Sequence, residues 1–179
     1  MGTLEKTEEP RVDKTKEDQF TFFVNQYLDG IYNFAKYMVS DREEANDISQ
    51  KTFLSLYQNF SKLDLTVSPR PWLFKVARNH CLDYIKKKKP LPFSEIEDQI
   101  FDIPENLPSV ESRVDDVIFI QKFKINVEQL PSAEKEVLLL KYFEDLTFEQ
   151  IAEVQGASVN TVKSHFYRGK NKLYNFLKE

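Results

Sequence analysis

Apolar residues recur along this chain every three or four positions, the spacing that places them on one face of an α-helix. The first stripe of this kind runs from residue 20 to residue 38. A second stripe follows Ser40 and Glu43, which we predict to form a capping box at the start of a second helix. A third begins near Trp72, where Pro71 suits the first helical turn, and it ends before Pro90.

The second half of the chain returns to this pattern after an interruption. Residues 90–112 contain four prolines and six acidic residues without a helical period, which predicts a flexible acidic linker. Further helices are expected near residues 114–130 and 133–143, after residue 147, and over residues 159–177. No alternating strand pattern competes with these stripes. The sequence therefore predicts an all-α fold of two helical domains, residues 18–89 and 113–179, preceded by a disordered tail over residues 1–17.

Charge is distributed in blocks that the net charge of −4 conceals. Residues 70–89 carry seven basic side chains and one acidic side chain, whereas the linker carries six acids and no base. Residues 158–179 are basic again, with five basic side chains and one acid. Two basic blocks separated by an acidic segment indicate two surfaces that bind a polyanion such as nucleic acid.

Composition excludes several classes of function. A single cysteine, Cys81, and two histidines cannot supply a disulfide framework or a Cys-rich zinc site, and we expect Cys81 to be buried as a small apolar residue. The chain has no phosphate-binding glycine loop and no clustered catalytic groups, so we predict no enzyme, no metal and no cofactor. It also has no apolar stretch long enough for a membrane span or a signal peptide, which predicts a cytoplasmic protein without membrane insertion.

Residues 148–167, FEQIAEVQGASVNTVKSHFY, have the positional chemistry of a helix-turn-helix. A capping box formed by Thr147 and Gln150 precedes the first helix, Gly156 falls where the turn needs a positive backbone angle, and Ser158 suits the cap of the second helix. An ordinary helical hairpin is the alternative. The outward face of the second helix favours DNA binding, because its side chains suit groove and phosphate contacts: Asn160, Lys163, Ser164, Tyr167, Arg168 and Lys172.

Longer segments resemble one known family. The stretches SDREEANDISQKTFLSLYQNF and PWLFKVARNHCLDYIKKKK resemble region 2 of the sigma-70 family of RNA polymerase sigma factors. The stretch LPSAEKEVLLLKYFEDLTFEQIAEVQGASVNTVKSHFYRGKNKL resembles region 4 of that family. Two such regions joined by a linker are typical of its extracytoplasmic-function (ECF) group. The resemblance implies a sigma factor that binds core RNA polymerase, recognises the −35 and −10 promoter elements and promotes DNA melting.

The same resemblance implies partners and individual roles. Docking on the β′ clamp of core polymerase is expected from Asp47, Ile48, Gln50 and Phe53. The loop over residues 61–70 and the third helix are expected to bind and open the −10 element, the helix through Trp72, Lys75, Arg78, Asn79, Lys86, Lys87 and Lys88. Recognition of the −35 element is expected from Asn160, Thr161, Lys163, Ser164, Tyr167 and Arg168. The polymerase β flap, promoter DNA and an anti-sigma factor complete the implied partners.

Two other interpretations stay open at this point. The stretch TVKSHFYRGKNKL also resembles the helix-turn-helix of quorum-sensing and response-regulator activators. The first alternative is therefore a two-domain transcriptional regulator that recruits polymerase without replacing sigma. The second is an interaction protein that keeps the fold but does not direct initiation. Whether Lys163 and Arg168 contact base edges or phosphates is likewise open, because both side chains suit either contact.

Overall fold

The computed structural model describes residues 16–64, 66–88, 126 and 129–178. Within these ranges the chain forms helices and no strand, which confirms the all-α prediction. The helices are α1 (Lys16–Val39), α2 (Arg42–Asn59), α3 (Arg70–Lys88), α4 (Ser132–Tyr142), α5 (Phe148–Gln155) and α6 (Val159–Lys178), and the short 3₁₀ turn Phe60–Lys62 follows α2. The predicted linker and almost all of the helix expected near residues 114–130 lie outside the described residues. The predicted tail lies outside them up to residue 15, and α1 begins at Lys16.

The first unit is a bundle of α1, α2 and α3 whose apolar stripes meet in one core. Phe34 of α1 and Phe74 of α3 are buried and cross edge to face, with ring centroids 5.5 Å apart. Ile48 and Leu56 of α2 are 1% and 0% exposed in the same core. Apolar burial of this kind supplies most of the stability of such a bundle, because it removes apolar surface from water.

The predicted cap of α2 is displaced by one residue. Ser40 has a φ of 54° and its N–H donates to the Lys36 carbonyl, so this residue ends α1 instead of starting α2. Asp41 is the N-cap, and its carboxylate accepts the backbone N–H groups of Glu43 and Glu44 at 3.0 and 3.2 Å. The prediction that Ser40 caps α2 is therefore wrong, because one residue cannot both terminate α1 and take the extended conformation of an N-cap.

The second unit packs α4 and α5 against α6. Val137, Ile151 and Val162 are fully buried where the three helices meet. A polar contact reinforces this packing: Lys172 Nζ of α6 lies 2.9 Å and 3.0 Å from the two carboxylate oxygens of Glu134 in α4. The side chain of Glu134 is only 6% exposed, so Lys172 compensates a charge that would otherwise be costly to bury.

The two units pack against each other as well. α3 of the first unit contacts α5 of the second, and α1 contacts α4. This arrangement decides which side chains of α3 face water and which face the second unit.

Candidate nucleic-acid and polymerase interfaces

The turn between α5 and α6 has the geometry that the sequence predicts. Thr147 Oγ1 accepts the N–H of Gln150 at 3.2 Å, and Gln150 Oε1 accepts the N–H of Thr147 at 2.9 Å, which completes the capping box of α5. Gly156 ends α5 with a φ of 65°. Ser158 Oγ then accepts the N–H of Thr161 at 3.1 Å. These contacts confirm the predicted helix-turn-helix and fix the angle at which α6 leaves the turn.

One face of α6 is buried and the other is available. Val162, Phe166 and Leu173 hold the inner face against α4 and α5. With a 100° step per residue, Asn160, Ser164, Tyr167 and Arg168 lie on the opposite side of the helix. Of the six residues predicted to read the −35 element, Asn160 is exposed and the rest are half-buried: Thr161, Lys163, Ser164, Tyr167 and Arg168. The structure therefore brings the predicted set together on one side of a single helix.

Contacts within α6 and with α4 and α5 orient the cations of α6. Arg168 Nη2 lies 3.2 Å from His165 Nδ1, and Arg168 Nε donates to the Ser164 carbonyl at 3.4 Å. Lys163 Nζ lies 5.8 Å from the centre of the Phe148 ring, within range of a cation–π contact. Lys172 is different, because its ammonium group is engaged by the buried Glu134. We therefore assign Lys172 to packing between α4 and α6.

The α3 side chains that are predicted to bind the −10 element differ in their exposure. Lys75, Asn79 and Lys86 are exposed and lie within about 40° of one another around the helix axis, and Lys87 is exposed beside them. Trp72 is half-buried and packs against the hydrophobic core. Arg78 turns away from the exposed group, and its Nε lies 2.5 Å from Glu136 Oε1 of α4. The predicted −10 set is thus only partly assembled on one open face.

Lys88 belongs to a short hydrogen-bonded chain. Its Nζ donates to the Tyr84 hydroxyl at 3.0 Å, and that hydroxyl donates to Asp41 Oδ2 at 3.1 Å. The hydrogen bond to Tyr84 raises the pKa of Lys88. The pKa of Asp41 is lowered, chiefly because its carboxylate accepts the Glu44 N–H and the Tyr84 hydroxyl. The basic end of α3 is therefore connected to the N-cap of α2.

The segment before α3 presents an apolar side chain to solvent. Asp64 Oδ1 accepts the N–H and the hydroxyl of Thr66 at 3.0 and 2.5 Å, which closes a turn. Val67 follows this turn and is 63% exposed, and Ser68 Oγ lies 3.4 Å from the Tyr27 hydroxyl of α1. An exposed valine on a turn anchored at both ends suits contact with a flat apolar ring. The sequence pattern did not single out Val67, since one valine in a polar loop carries no periodic signal.

The outer face of α2 differs in part from its prediction. Asp47 and Gln50 are exposed as expected, and Asp47 Oδ2 lies 2.7 Å from Lys51 Nζ. Ile48 and Phe53 are 1% and 6% exposed, so their side chains are part of the core. In this conformation neither of them presents a side chain to a docking partner, and their predicted contact with the clamp needs correction.

The sequence analysis missed two apolar side chains on this face of α2. Leu54 is 56% exposed and Tyr57 is 47% exposed, four and seven residues after Gln50. Residues at this spacing share one face of a helix, so the sequence itself could have placed Leu54 and Tyr57 beside the exposed Gln50. The Tyr57 ring also packs edge to face against Phe20 at 5.3 Å, which fixes its position.

The described residues were also compared with what a metal site, a reactive cysteine and a membrane-spanning helix would need. No group of three or more His, Cys, Asp or Glu side chains that could hold a metal ion occurs there. Cys81 is fully buried as predicted, and this burial raises the pKa of its thiol to about 12. Among the helices of the described segments, none is long and apolar enough to cross a membrane.

Comparison with known proteins relates both units to one family. The family model Sigma-70 region 2 matches residues 23–90, and the model Sigma-70, region 4 matches residues 127–173. The ECF RNA polymerase sigma factor SigW of Bacillus subtilis is 29% identical, with 94% of both chains covered. The ECF RNA polymerase sigma factor SigM of the same organism is 30% identical over 82% of this chain and 88% of the relative.

Two solved structures share the fold. The sigma factor RpoE in complex with the anti-sigma factor NepR from Bartonella quintana gives a TM-score of 0.67 at 22% identity, covering 89% of this chain and 97% of the other. CnrH in complex with the cytosolic domain of CnrY gives a TM-score of 0.64 at 18% identity, covering 90% of this chain and 89% of the other. The similarity extends over both helical units.

Proposed function

We proceed from the fact that this chain belongs to the ECF group of the sigma-70 family of RNA polymerase sigma factors, and we propose how its surfaces divide the work of initiation. In this proposal α6 reads the −35 element in the major groove of promoter DNA. The outer face of α3 and the turn before it bind the −10 element and help to open it. The outer face of α2 docks on core polymerase.

The α6 face is the observation that carries the proposal. A helix-turn-helix projects its second helix into a major groove, where each base pair displays a distinct set of donors and acceptors. Lys163 and Arg168 supply cationic donors, and Asn160 and Ser164 supply polar groups that both donate and accept. The contact of Arg168 with His165 restricts the guanidinium before DNA arrives. Less conformational entropy is then lost on binding.

Opening of the −10 element requires cations for the phosphates and a site for an unstacked base. Lys75, Lys86 and Lys87 present exposed ammonium groups on the outer side of α3. Val67, exposed on the turn anchored by Asp64 and Ser68, offers an apolar surface for the base. These neighbouring features favour a division in which α3 binds phosphate and the turn accepts the base.

Docking on core polymerase is assigned to four exposed residues of α2. Asp47 and Gln50 provide polar contacts, and Leu54 and Tyr57 provide apolar surface that is exposed to solvent in the free chain. Interfaces of this kind gain most of their affinity from a few apolar or aromatic side chains surrounded by polar ones. Ile48 and Phe53 position these four residues, because their buried side chains hold α2 against the bundle. A contact of the second unit with the β flap follows from the family resemblance alone.

Regulation by an anti-sigma factor is part of the proposal. It is supported by the two structures with the same fold, in which the sigma factor RpoE is bound to the anti-sigma factor NepR and CnrH is bound to the cytosolic domain of CnrY. For this chain, the test is affinity purification from its native host followed by identification of any bound inhibitor. A protein that blocks transcription by the reconstituted holoenzyme would support this part of the proposal.

Transcription with purified components tests the function directly. The chain is combined with core polymerase and fragmented genomic DNA, and the RNA 5′ ends are mapped. We expect discrete start sites preceded by shared −35 and −10 sequences, and no such sites with core polymerase alone. Binding of the isolated chain to a selected promoter with full affinity would instead support the regulator that recruits polymerase without replacing sigma.

Substitutions on α2 test the docking assignment. Leu54→Ala should weaken binding of core polymerase by roughly 1–2 kcal/mol, about five- to thirtyfold, because the truncated side chain buries less apolar area. Asp47→Ala and Gln50→Ala should also weaken it, while circular dichroism shows an unchanged fold. Asp29→Ala on α1 is the matched control, since it removes an exposed carboxylate outside this face. Loss of thermal stability without loss of polymerase affinity would contradict the assignment.

Salt titration separates base reading from phosphate binding. If Arg168 reads a base, Arg168→Ala should cost the holoenzyme roughly 1–3 kcal/mol at a matched −35 sequence and less at a scrambled one. Lys86→Ala and Lys87→Ala should weaken both promoters about equally and reduce the salt slope by roughly one charge per lost contact. Equal weakening of both promoters by Arg168→Ala would make Arg168 a phosphate contact and leave base reading to other side chains of α6.

A further inference from the structure

Two pairs of opposite charges join the two units, beside apolar contacts such as that of Tyr37 with Phe143. Arg78 of α3 meets Glu136 of α4 at 2.5 Å, and Arg70 at the start of α3 meets Glu144, which follows α4, at 3.1 Å. In both pairs the arginine belongs to the first unit and the carboxylate to the second. We call these two contacts the closing pairs.

Both carboxylates of the closing pairs are removed from water. The side chain of Glu136 is 2% exposed and that of Glu144 is 10% exposed. Burial raises the pKa of each of these carboxyls, and the paired arginine opposes that rise. A buried pair of this kind has a large desolvation cost that offsets most of its Coulomb attraction, so the pairs themselves add little net free energy to closure, whereas removal of one partner leaves the other charge buried without compensation. The contact is therefore suited to being opened by a competing partner.

A glycine makes the close approach possible. Gly30 of α1 lies against Glu144, and a Cβ atom at this position would stand 2.7 Å from Glu144 Oε2. Beside it, the Tyr37 ring of α1 and the Phe143 ring lie 6.2 Å apart. The Glu144 carboxylate thus occupies space beside α1 that a side chain at residue 30 would compete for.

The arginines of the closing pairs belong to the element assigned to the −10 DNA. A guanidinium binds carboxylate and phosphate oxygens with the same donors and the same planar geometry. While Arg78 is held by Glu136 and Arg70 by Glu144, these donors are not available to a DNA backbone. Lys75 and Lys86, on the open side of α3, are not engaged in this way.

We propose that Glu136 and Glu144 of the second unit act as internal substitutes for DNA phosphates, so that closure of the two units and engagement of nucleic acid by Arg70 and Arg78 exclude each other. This rests on the proposed function, because it takes α3 as a DNA-binding helix. The free chain is then held in a form with a reduced affinity for nucleic acid. Any partner that separates the units releases both arginines together.

The fraction of chains in the open form determines how much the apparent affinity for nucleic acid should change. Only the open fraction binds with both arginines, so the apparent affinity falls in proportion to that fraction. A chain that is closed about nine-tenths of the time would bind nucleic acid about tenfold more weakly than a permanently open one. Removal of the closing pairs should raise the affinity for nucleic acid by up to this factor of about ten. A change of roughly threefold or more is readily measured.

Fluorescence energy transfer in the full-length chain measures closure without reference to transcription. Dyes are placed on cysteines introduced at Asn25 of α1 and Asn175 of α6, both exposed, while Cys81 stays buried. Glu136→Gln with Glu144→Gln should lower the transfer efficiency. Glu153→Gln is the control, since it removes an exposed carboxylate of α5 outside the closing pairs.

Two further variants keep the test independent of a local folding defect. Gly30→Leu should lower the transfer efficiency by steric means while favouring the helical conformation of α1. Glu136→Arg should open the chain by repulsion, and the exchange of charges in Arg78→Glu with Glu136→Arg should restore the closed value. Unchanged transfer in the double glutamine variant and in Gly30→Leu, or failure of the exchange to restore closure, would overturn the proposal.

An oligothymidine of about 20 nucleotides is the nucleic-acid probe, because its backbone can be bound without a known promoter. Its affinity for the free chain should rise roughly three- to tenfold in the double glutamine variant and clearly less in Glu153→Gln. Addition of the oligonucleotide should lower the transfer efficiency of the unsubstituted chain. Opening without a gain in affinity, or an equal gain in Glu153→Gln, would overturn the proposal. If the proposed function fails instead, the unsubstituted chain directs no transcription with core polymerase, whatever its transfer efficiency.

Discussion

Gly156 allows a clean test of what holds the helix-turn-helix together. It ends α5 with φ 65° and ψ 33°, in the left-handed region, and its N–H donates to the Ala152 carbonyl. A Cβ atom built on Gly156 has no atom within 4 Å apart from those of its two chain neighbours. Substitution by alanine therefore changes the conformational energy of the turn without a steric clash, and the cost can be worked out from the backbone alone.

The expected change in the free energy of unfolding is the difference between a cost in the folded state and a gain that comes from the unfolded chain. The left-handed conformation costs an alanine about 1–2 kcal/mol relative to glycine. Alanine also has fewer conformations in the unfolded chain, which returns about 0.4–1 kcal/mol. Gly156→Ala should therefore lower the free energy of unfolding of the second unit by about 1 kcal/mol. Gly156→Asn should cost less, because asparagine tolerates this conformation better than other non-glycine residues.

Amide hydrogen exchange is the suitable assay, because the single tryptophan, Trp72, lies in the first unit and its fluorescence does not report on α5 and α6 directly. In Gly156→Ala, protection of the α5 and α6 amides that exchange through unfolding should fall about fivefold, the factor that corresponds to 1 kcal/mol. Unchanged protection would refute the conformational reasoning. Equal losses for alanine and asparagine would refute it as well, since they would show that backbone conformation does not set the cost.

Other predictions follow from single contacts. Cys81 should resist alkylation in the folded chain and react when the first unit unfolds, because burial raises the pKa of its thiol to about 12; rapid labelling at neutral pH would contradict this. Asp41, whose pKa is lowered by the fold, stabilises α2 above its usual pKa of 3.8 and loses that effect as pH falls through the lowered value. Thermal stability of Asp41→Asn should accordingly vary less between about pH 5 and pH 2 than that of the unsubstituted chain, a comparison that circular dichroism provides. Lys172→Met should reduce the free energy of unfolding by about 1–2 kcal/mol by leaving Glu134 unpaired, whereas Lys86→Met, on an exposed site, should not.

The features that the sequence predicts well are those that depend on neighbours along the chain. The capping box of Thr147 and Gln150 and the positive φ of Gly156 are specified within ten residues, so their chemistry is visible in the sequence. The cap of α2 shows the limit of this reasoning. Ser40 and Asp41 are both good capping residues, and only the end of α1 at Ser40 decides between them.

Features that depend on distant neighbours are not predictable in this way. Along α2, the buried Ile48 and Phe53 and the exposed Leu54 are all apolar, and helical periodicity places them only relative to one another. Which side of α2 meets the bundle depends on how α1 and α3 pack. The pair of Arg78 and Glu136 joins residues 58 positions apart, and no local pattern indicates it.

The basic block of residues 70–89 shows why charge density in a sequence overstates a binding surface. Arg70 and Arg78 face carboxylates of the second unit, and Lys88, although exposed, bonds Tyr84. Lys75, Lys86 and Lys87 are the exposed cations outside these contacts in the described part of the block. Each cation that is already paired releases no counterion when DNA binds, unless its partner leaves first. The salt dependence of nucleic-acid binding by the free chain should therefore be shallower than the sequence suggests, and it should steepen by about two charges when the units separate.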